Sequence, residues 1–178
     1  MKNKLYVICG VPGTGKSTFC KNHLTMFGDD VKYVSRDDIR FSIVKEDEEY
    51  FSHETEVFNK FIDEIKDGLK NAEATIADAT HINSGSRTKL LRKLGDSLKD
   101  CEVIAVVLRN GVDTCIRQNE KRKNTRSYVP RDVIENMYEH FRNPSFDEGF
   151  DKIIVIYSNG EIVIKENSNF GQKYDTES

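Results

Sequence analysis

The sequence predicts an α/β fold: a mostly parallel sheet with helices on its faces and an antiparallel strand added at one edge. Three observations predict it. Short apolar, β-branched runs alternate with amphipathic helical segments along the chain. Two of the runs, Leu5-Tyr6-Val7-Ile8-Cys9 and Glu102-Val103-Ile104-Ala105-Val106-Val107-Leu108, are apolar almost throughout, as strands buried on both faces must be. Near the end, Asn159-Gly160 stands between Ile153–Tyr157 and Ile162–Ile164, a turn signal that folds the last strand back as a hairpin.

The first run ends in Gly10-Val11-Pro12-Gly13-Thr14-Gly15-Lys16-Ser17, which fits the phosphate-binding pattern G-x-x-x-x-G-K-[ST] at every fixed position. Glycines let the backbone curl until several N–H groups point into one concavity that can cradle the β-phosphate of a nucleotide. Lys16 adds a point charge toward the β- and γ-phosphates, and Ser17 offers a hydroxyl to the accompanying Mg²⁺. A helix follows, with Phe19, Leu24 and Phe27 near helical spacing and Gly28 as its stop. Strand, loop and helix stand in the order the motif requires.

Val31-Lys32-Tyr33-Val34-Ser35 is the second strand, and it runs into Arg36-Asp37-Asp38-Ile39-Arg40. Ligands of open α/β sheets sit at the carboxyl ends of the strands, so a carboxylate here can face a γ-phosphate from the acceptor side. Alternatively, Asp37 caps a short helix over 38–44 and Arg40 is solvated. An acidic loop at 46–49 precedes a long helix over 54–71, with Val57, Phe58, Phe61, Ile62, Ile65 and Leu69 on one face and its acids on a solvated one. His53 reads as an exposed cap neighbour.

The third strand, from Ala72, ends at Asp78. An acid there can hold a water on Mg²⁺ or orient an arginine, while Thr80 and Asn83 offer neutral hydrogen bonds to a substrate; a polar turn with Asn83 or Ser84 as cap is the other reading. His81 has no partner that the sequence supplies. The helix over 86–98 carries Arg87, Lys89, Arg92 and Lys93, expected as surface charge or as one bank of a groove. After the strand over 102–108 comes the most basic stretch, Arg117 to Arg131, where six basic residues against one acid give +5. Above a phosphate loop, such a stretch suits a lid that brings arginines to the phosphoryl group. Pro130 opens a helix with Val133, Met137 and Phe141 as its buried stripe.

Composition sets the outer limits. A chain of 178 residues, 37% hydrophobic, builds one core and one domain. A net charge of −3 excludes coating of nucleic acid by bulk electrostatics, so any such contact is local. Cys9, Cys20, Cys101 and Cys115 show no C-x-x-C spacing and no leader precedes the first strand, which predicts a reduced, cytoplasmic protein, with Cys9 and Cys20 as small buried side chains. No apolar stretch reaches the ~20 residues of a membrane-spanning helix, so no membrane association is expected.

Several motifs together carry a resemblance. Gly10 to Thr18, Ser35-Arg36-Asp37-Asp38-Ile39-Arg40, Asp78-Ala79-Thr80, the arginine-rich stretch before Val129-Pro130, and Asn143 to Phe150 resemble the kinase domain of 5′-hydroxyl polynucleotide kinases, from about Lys4 to Ile156. The resemblance implies a P-loop NTPase three-layer sandwich of the nucleotide-kinase kind over 1–166, with a lid at about 117–131 and a polar, partly disordered tail at 167–178. It implies transfer of the ATP γ-phosphate, with Mg²⁺, to the 5′-hydroxyl of DNA or RNA. Asp37 matches the general base, and Arg40 the residue that grips the phosphate next to that hydroxyl. Lys16 and Arg122 match the cations on the transferred phosphoryl group. Gly13, Thr14, Gly15, Lys16, Ser17, Thr18, Arg117 and Arg122 match the nucleotide site, with Arg126 an alternative to Arg122. Asp78 and Thr80 match the substrate-side strand end, Ser17 and, through water, Asp78 the Mg²⁺ site, and Phe146 to Phe150 the closure around the base of ATP. The phosphatase signature D-x-D-x-T that often accompanies this kinase is absent, so a kinase alone is expected. Two other readings share the phosphate loop: a kinase for a nucleoside, sugar or antibiotic hydroxyl, and a nucleotide-dependent switch without phosphoryl transfer.

Overall fold

Alternate residues of the first strand divide the interior in two. In β1 (Asn3–Cys9), Leu5, Val7 and Cys9 enter one apolar cluster while Tyr6 and Ile8 enter another, so the sheet is buried on both faces. The computed structural model describes residues 2–168. Its sheet adds β2 (Val31–Ser35), β3 (Ala74–Asp78), β4 (Cys101–Arg109), β5 (Lys152–Tyr157) and β6 (Ile162–Glu166) in the order β2-β3-β1-β4-β5-β6. All pairings are parallel except β5 with β6, the hairpin expected from Asn159-Gly160. The thiols of Cys9, Cys20, Cys101 and Cys115 are buried and unbridged, and burial pushes the first three up to about 12.

One face carries α1 (Lys16–Asn22) and α2 (Leu24–Phe27). The other carries α3 (Arg36–Ile43), α4 (Glu54–Asn71), α5 (Ser84–Leu94), α6 (Val112–Glu120) and α7 (Arg131–His140), completing the three layers. The single helix expected after the phosphate loop is broken at His23, whose Nδ1 lies 2.8 Å from the Phe19 carbonyl. α3 starts earlier than expected because Ser35, not Asp37, is its cap: the Asp38 N–H donates to Ser35 Oγ at 3.2 Å. That leaves the Asp37 side chain available to other partners. α5 likewise begins at Ser84, since Asn83 and Ser86 cap each other, and it ends at Gly95, with a 3-10 turn over Gly95–Leu98.

Arg87 corrects the sequence reading most sharply. Expected as a surface or groove charge, it is fully buried and donates through Nε and Nη2 to the two oxygens of Glu148, at 2.6 and 2.8 Å. Its Nη1 also reaches the carbonyls of His81 and Arg142, both at 2.9 Å. The guanidinium thereby staples α5 to the chain entering β5. Asn167 N–H donates to Asp151 O, and the remainder of the expected tail, 169–178, lies outside the described residues.

Removing one partner of a buried ion pair leaves the other charge stranded. Arg87→Met should lower the urea-unfolding free energy by about 3–5 kcal/mol, and Arg87→Met/Glu148→Met should regain only part of it, because the carbonyls of His81, Arg142 and Asn143 still lose their donor. A loss below about 1 kcal/mol for the single variant would contradict the staple.

Candidate active site

The loop after β1 takes its shape from two glycines. Gly13 and Gly15 hold φ of 85° and 88°, in the left-handed region, and a Cβ on Gly13 would stand 2.2 Å from the Cys115 carbonyl of α6. α6 thus packs the loop from behind. Gly10 N–H donates to the Thr80 carbonyl at 2.9 Å, fastening the loop to the chain after β3, and Asn110 Nδ2 holds the Thr14 carbonyl at 2.9 Å. Lys16 Nζ folds across the loop to the Val11 carbonyl at 3.1 Å. Burial pulls its ammonium below the ordinary lysine range, Asp78 and Asp37 pull the other way, and Arg122 adds to the lowering.

Ser17 Oγ donates to Asp78 Oδ2 at 2.7 Å, and the Tyr33 hydroxyl donates to the same oxygen. Asp78 is buried at the end of β3, between Ser35 of β2 and Ile8 of β1 in the sheet register. Burial and then the Asp78 charge hold the Tyr33 phenol above its usual range, so Tyr33 stays a donor. A hydroxyl and a carboxylate oxygen side by side at a phosphate loop suit Mg²⁺, which keeps several waters and takes one or two carboxylates. Among the described residues there is no group of three or more His, Cys, Asp or Glu able to cage a metal by itself.

Opposite the loop, α3 and the segment before α4 form a wall of paired charge. Arg40, with a side chain only 6% exposed, donates from Nη1 to Asp37 Oδ1 at 2.8 Å and from Nε to Glu54 Oε1 at 3.0 Å. Burial alone would lower its pKa, but the hydrogen bonds and charges of Glu54, Tyr50 and Asp37 raise it, so the cation is secure. Tyr50 donates to the same Asp37 oxygen at 2.8 Å, and Arg36 Nη2 reaches Glu54 Oε2 at 2.9 Å. The Asp37 side chain nevertheless remains 58% exposed.

The basic stretch splits in two. Residues 117–120 complete α6, and of the stretch expected as a lid the turns from 121 to 130 remain, their base closed by Asn119, which donates to the Val129 carbonyl at 2.6 Å and accepts from the Val129 N–H at 3.0 Å. Arg126 stretches to α3, where it donates to the carbonyls of Phe41 and Val44 and lies 4.8 Å from the centre of the Phe41 ring. Arg122 lines the central space, whereas Arg117 donates to Thr114 at 3.2 Å on α6 and does not.

These elements enclose a cavity of about 490 Å³. Gly13, Gly15, Lys16 and Ser17 form one side, Asp37 and Arg40 the wall across from them, and Asp78 and Thr80 lie between. Arg122 and Arg126 come from the lid. Thr14 is buried in the loop, while Thr18 is exposed on α1 outside the cavity. Phe146–Phe150 is not part of the lining either: Glu148 is committed to Arg87, and Phe150 is fully buried in the core. Asn83 is committed to capping α5. Sequence reasoning missed Tyr33, Tyr50 and Glu54. Glu54 reads as one acid of a solvated helix face, and no local signal ties it to an arginine fourteen residues earlier.

His81 also departs from its expectation. It is buried with a φ of 44°, and its Nδ1–H donates to the Ile8 carbonyl at 2.6 Å, one residue before the first apolar-to-loop transition of the site. Burial pushes its pKa down to about 4, against the pull of that hydrogen bond.

Comparison with known proteins follows from this geometry. A family model described as an AAA domain matches residues 5–144. An L-seryl-tRNA(Sec) kinase of Methanococcus maripaludis is 29% identical over 154 residues, covering 83% of this chain and 56% of that protein, so this chain spans little more than half of it. A chain of the Pnkp1/Rnl/Hen1 RNA repair complex superposes with a TM-score of 0.63 at 24% identity, over 78% of this chain and 44% of the other. Kti12 of Chaetomium thermophilum, solved with ADP-AlF3, superposes with a TM-score of 0.62 at 16% identity, over 96% and 95%. At these identities the two structures establish the shared fold.

The His81 imidazole fixes a pH dependence. Above pH ~6.5 it is neutral folded and unfolded and contributes nothing; as pH falls from about 6.5 toward about 4 the unfolded chain binds a proton that the folded one refuses, and stability is lost. Urea unfolding should show this group costing about 2 kcal/mol between about pH 7 and about pH 5, and His81→Asn should remove that share of the slope. An unchanged slope in the variant would contradict the buried neutral ring.

Proposed function

The chain belongs to the AAA domain family, and we propose that it is an ATP-dependent kinase that phosphorylates the 5′-hydroxyl of RNA or DNA. The observation that carries this reading is the cavity itself: a phosphate loop with Lys16 on one side, and Asp37 bonded to Arg40 on the wall across from it. A nucleotide-binding protein without an acceptor has no use for a carboxylate there.

The chemistry is an in-line displacement that depends on positioning and charge. The acceptor oxygen forms its bond to the γ-phosphorus, the bond from that phosphorus to the β-phosphate oxygen breaks, and the hydroxyl proton passes to Asp37. Lys16 leaves the Val11 carbonyl for the phosphates, and Arg122 faces them from the lid; two cations that repel each other are both satisfied by the negative charge of the phosphates. Arg40 holds the phosphate next to the attacking hydroxyl. As its Nη1 turns from Asp37 to that phosphate, the carboxylate is released to act as base. Glu54, bonded to Nε, keeps the guanidinium in place through this exchange. Ser17 and Asp78 would hold Mg²⁺, Asp78 through water, with Tyr33 fixing the carboxylate. When bound, that ion neutralises charge on the β- and γ-phosphates.

A second reading keeps the donor half and changes the acceptor. The seryl-tRNA kinase similarity supports a hydroxyl carried on the aminoacyl end of a tRNA. Transfer of label from γ-labelled ATP to 5′-hydroxyl RNA and DNA oligonucleotides and to seryl-tRNA, side by side, separates the two. Label in the oligonucleotides is the expected result; label only in seryl-tRNA moves the acceptor, and none in any of them removes the nucleic-acid acceptor. Asp37→Asn should lower kcat by about 10²–10⁴-fold, the contribution of a general base, with ATP affinity within about twofold of wild type. Near wild-type turnover would remove Asp37 from the role of base.

A further inference from the structure

We propose that Phe51, backed by Tyr50, is a stacking platform for the terminal nucleobase of the acceptor strand. The proposal rests on the kinase reading above and narrows it, since an acceptor with a flat aromatic group next to its hydroxyl gains most from such a surface.

Phe51 is out of place as a core residue. Its side chain is 63% exposed, and of the large apolar side chains exposed among the described residues it alone lines the cavity. Its neighbours explain what it can do there. The Tyr50 ring meets it edge to face at 4.7 Å, and the Arg40 guanidinium lies 4.4 Å from the Tyr50 centroid and 5.7 Å from that of Phe51. Tyr50 in turn stands 6.3 Å from Phe41, the ring that Arg126 covers from the lid. Rings and guanidinium groups therefore alternate along one wall, the composition by which proteins hold single-stranded ends, with bases on rings and phosphates on cations.

The spacing fits a nucleotide. Arg40 touches Asp37 at 2.8 Å on one side and the aromatic pair on the other. In an acceptor whose attacking oxygen is at Asp37 and whose phosphate is on Arg40, the base is one ribose away from both. Tyr50 also joins the two halves of the subsite, because the ring that supports Phe51 carries the hydroxyl that donates to Asp37.

The test compares 5′-hydroxyl oligonucleotides that end in adenosine or in an abasic nucleotide. Wild-type protein should show a KM for the adenosine end about tenfold below that for the abasic end, the size of one base–aromatic stack. Phe51→Ala should bring the ratio close to one, and Phe51→Trp should restore it. A ratio near one in wild type, or one that Phe51→Ala leaves intact, overturns the platform while the kinase stands. Quenching of 2-aminopurine at the 5′ end gives a readout independent of turnover. Quenching by wild type and by Phe51→Trp but not by Phe51→Ala supports the platform even if no phosphate is transferred, in which case the kinase reading fails alone. No quenching by wild type overturns the platform.

Discussion

Parallel pairing is the constraint from which the site follows. Because β2, β3, β1 and β4 all run the same way and in register, Ser35, Asp78, Ile8 and Val106 fall in one row, and each strand releases its following segment at the same edge. The phosphate loop, the Asp37–Arg40 helix, the Asp78–His81 turn and the approach to Asn110 therefore meet, although they are spread over a hundred residues. The chain turns one way after β1, toward β2, and the other way after β3, toward β4, which opens the crevice between them. His81 and Gly10 fasten this opening from opposite sides, the first through its imidazole Nδ1–H to the Ile8 carbonyl and the second through its backbone N–H to the Thr80 carbonyl.

Within that edge, electrostatics is managed by substitution. Cations cluster round one cavity in a chain of net charge −3, and three of them have a protein oxygen to satisfy them: Val11 for Lys16, Asp37 and Glu54 for Arg40, Val44 for Arg126. A buried cation without such a partner would be costly. The arrangement keeps the guanidinium and ammonium groups charged and aimed while anionic ligands can displace the local oxygens with little rearrangement. Burial keeps His81 neutral, and the same field adds to it, since Arg36, Arg87 and Lys16 all oppose its protonation. Glu54 and Tyr50 fix Arg40 and Asp37, as Tyr33 fixes Asp78, so each of these cavity-lining charges is oriented by a neighbouring side chain.

Sequence alone determined the features whose cause is local. Nearly unbroken apolar runs marked β1 and β4, the spacing of Val57 through Leu69 marked α4, Asn159-Gly160 marked the hairpin, and glycines with a lysine marked the loop. These depend on a backbone angle, on a short continuous apolar run or on a period of 3.6 residues, which neighbours in the chain express directly. Tertiary structure decided the rest. Arg87 and Arg40 have the same local character as any surface arginine; one is a buried staple because Glu148 reaches it from sixty-one residues away, the other a held cation because Glu54 and Tyr50 approach across a loop. Arg117 and Arg126 stand in one basic run, yet the end of α6 turns the first away from the cavity and the carbonyls of α3 capture the second. A charge shows its sign in the sequence, but its energy is set by what surrounds it, and only folding supplies the surroundings.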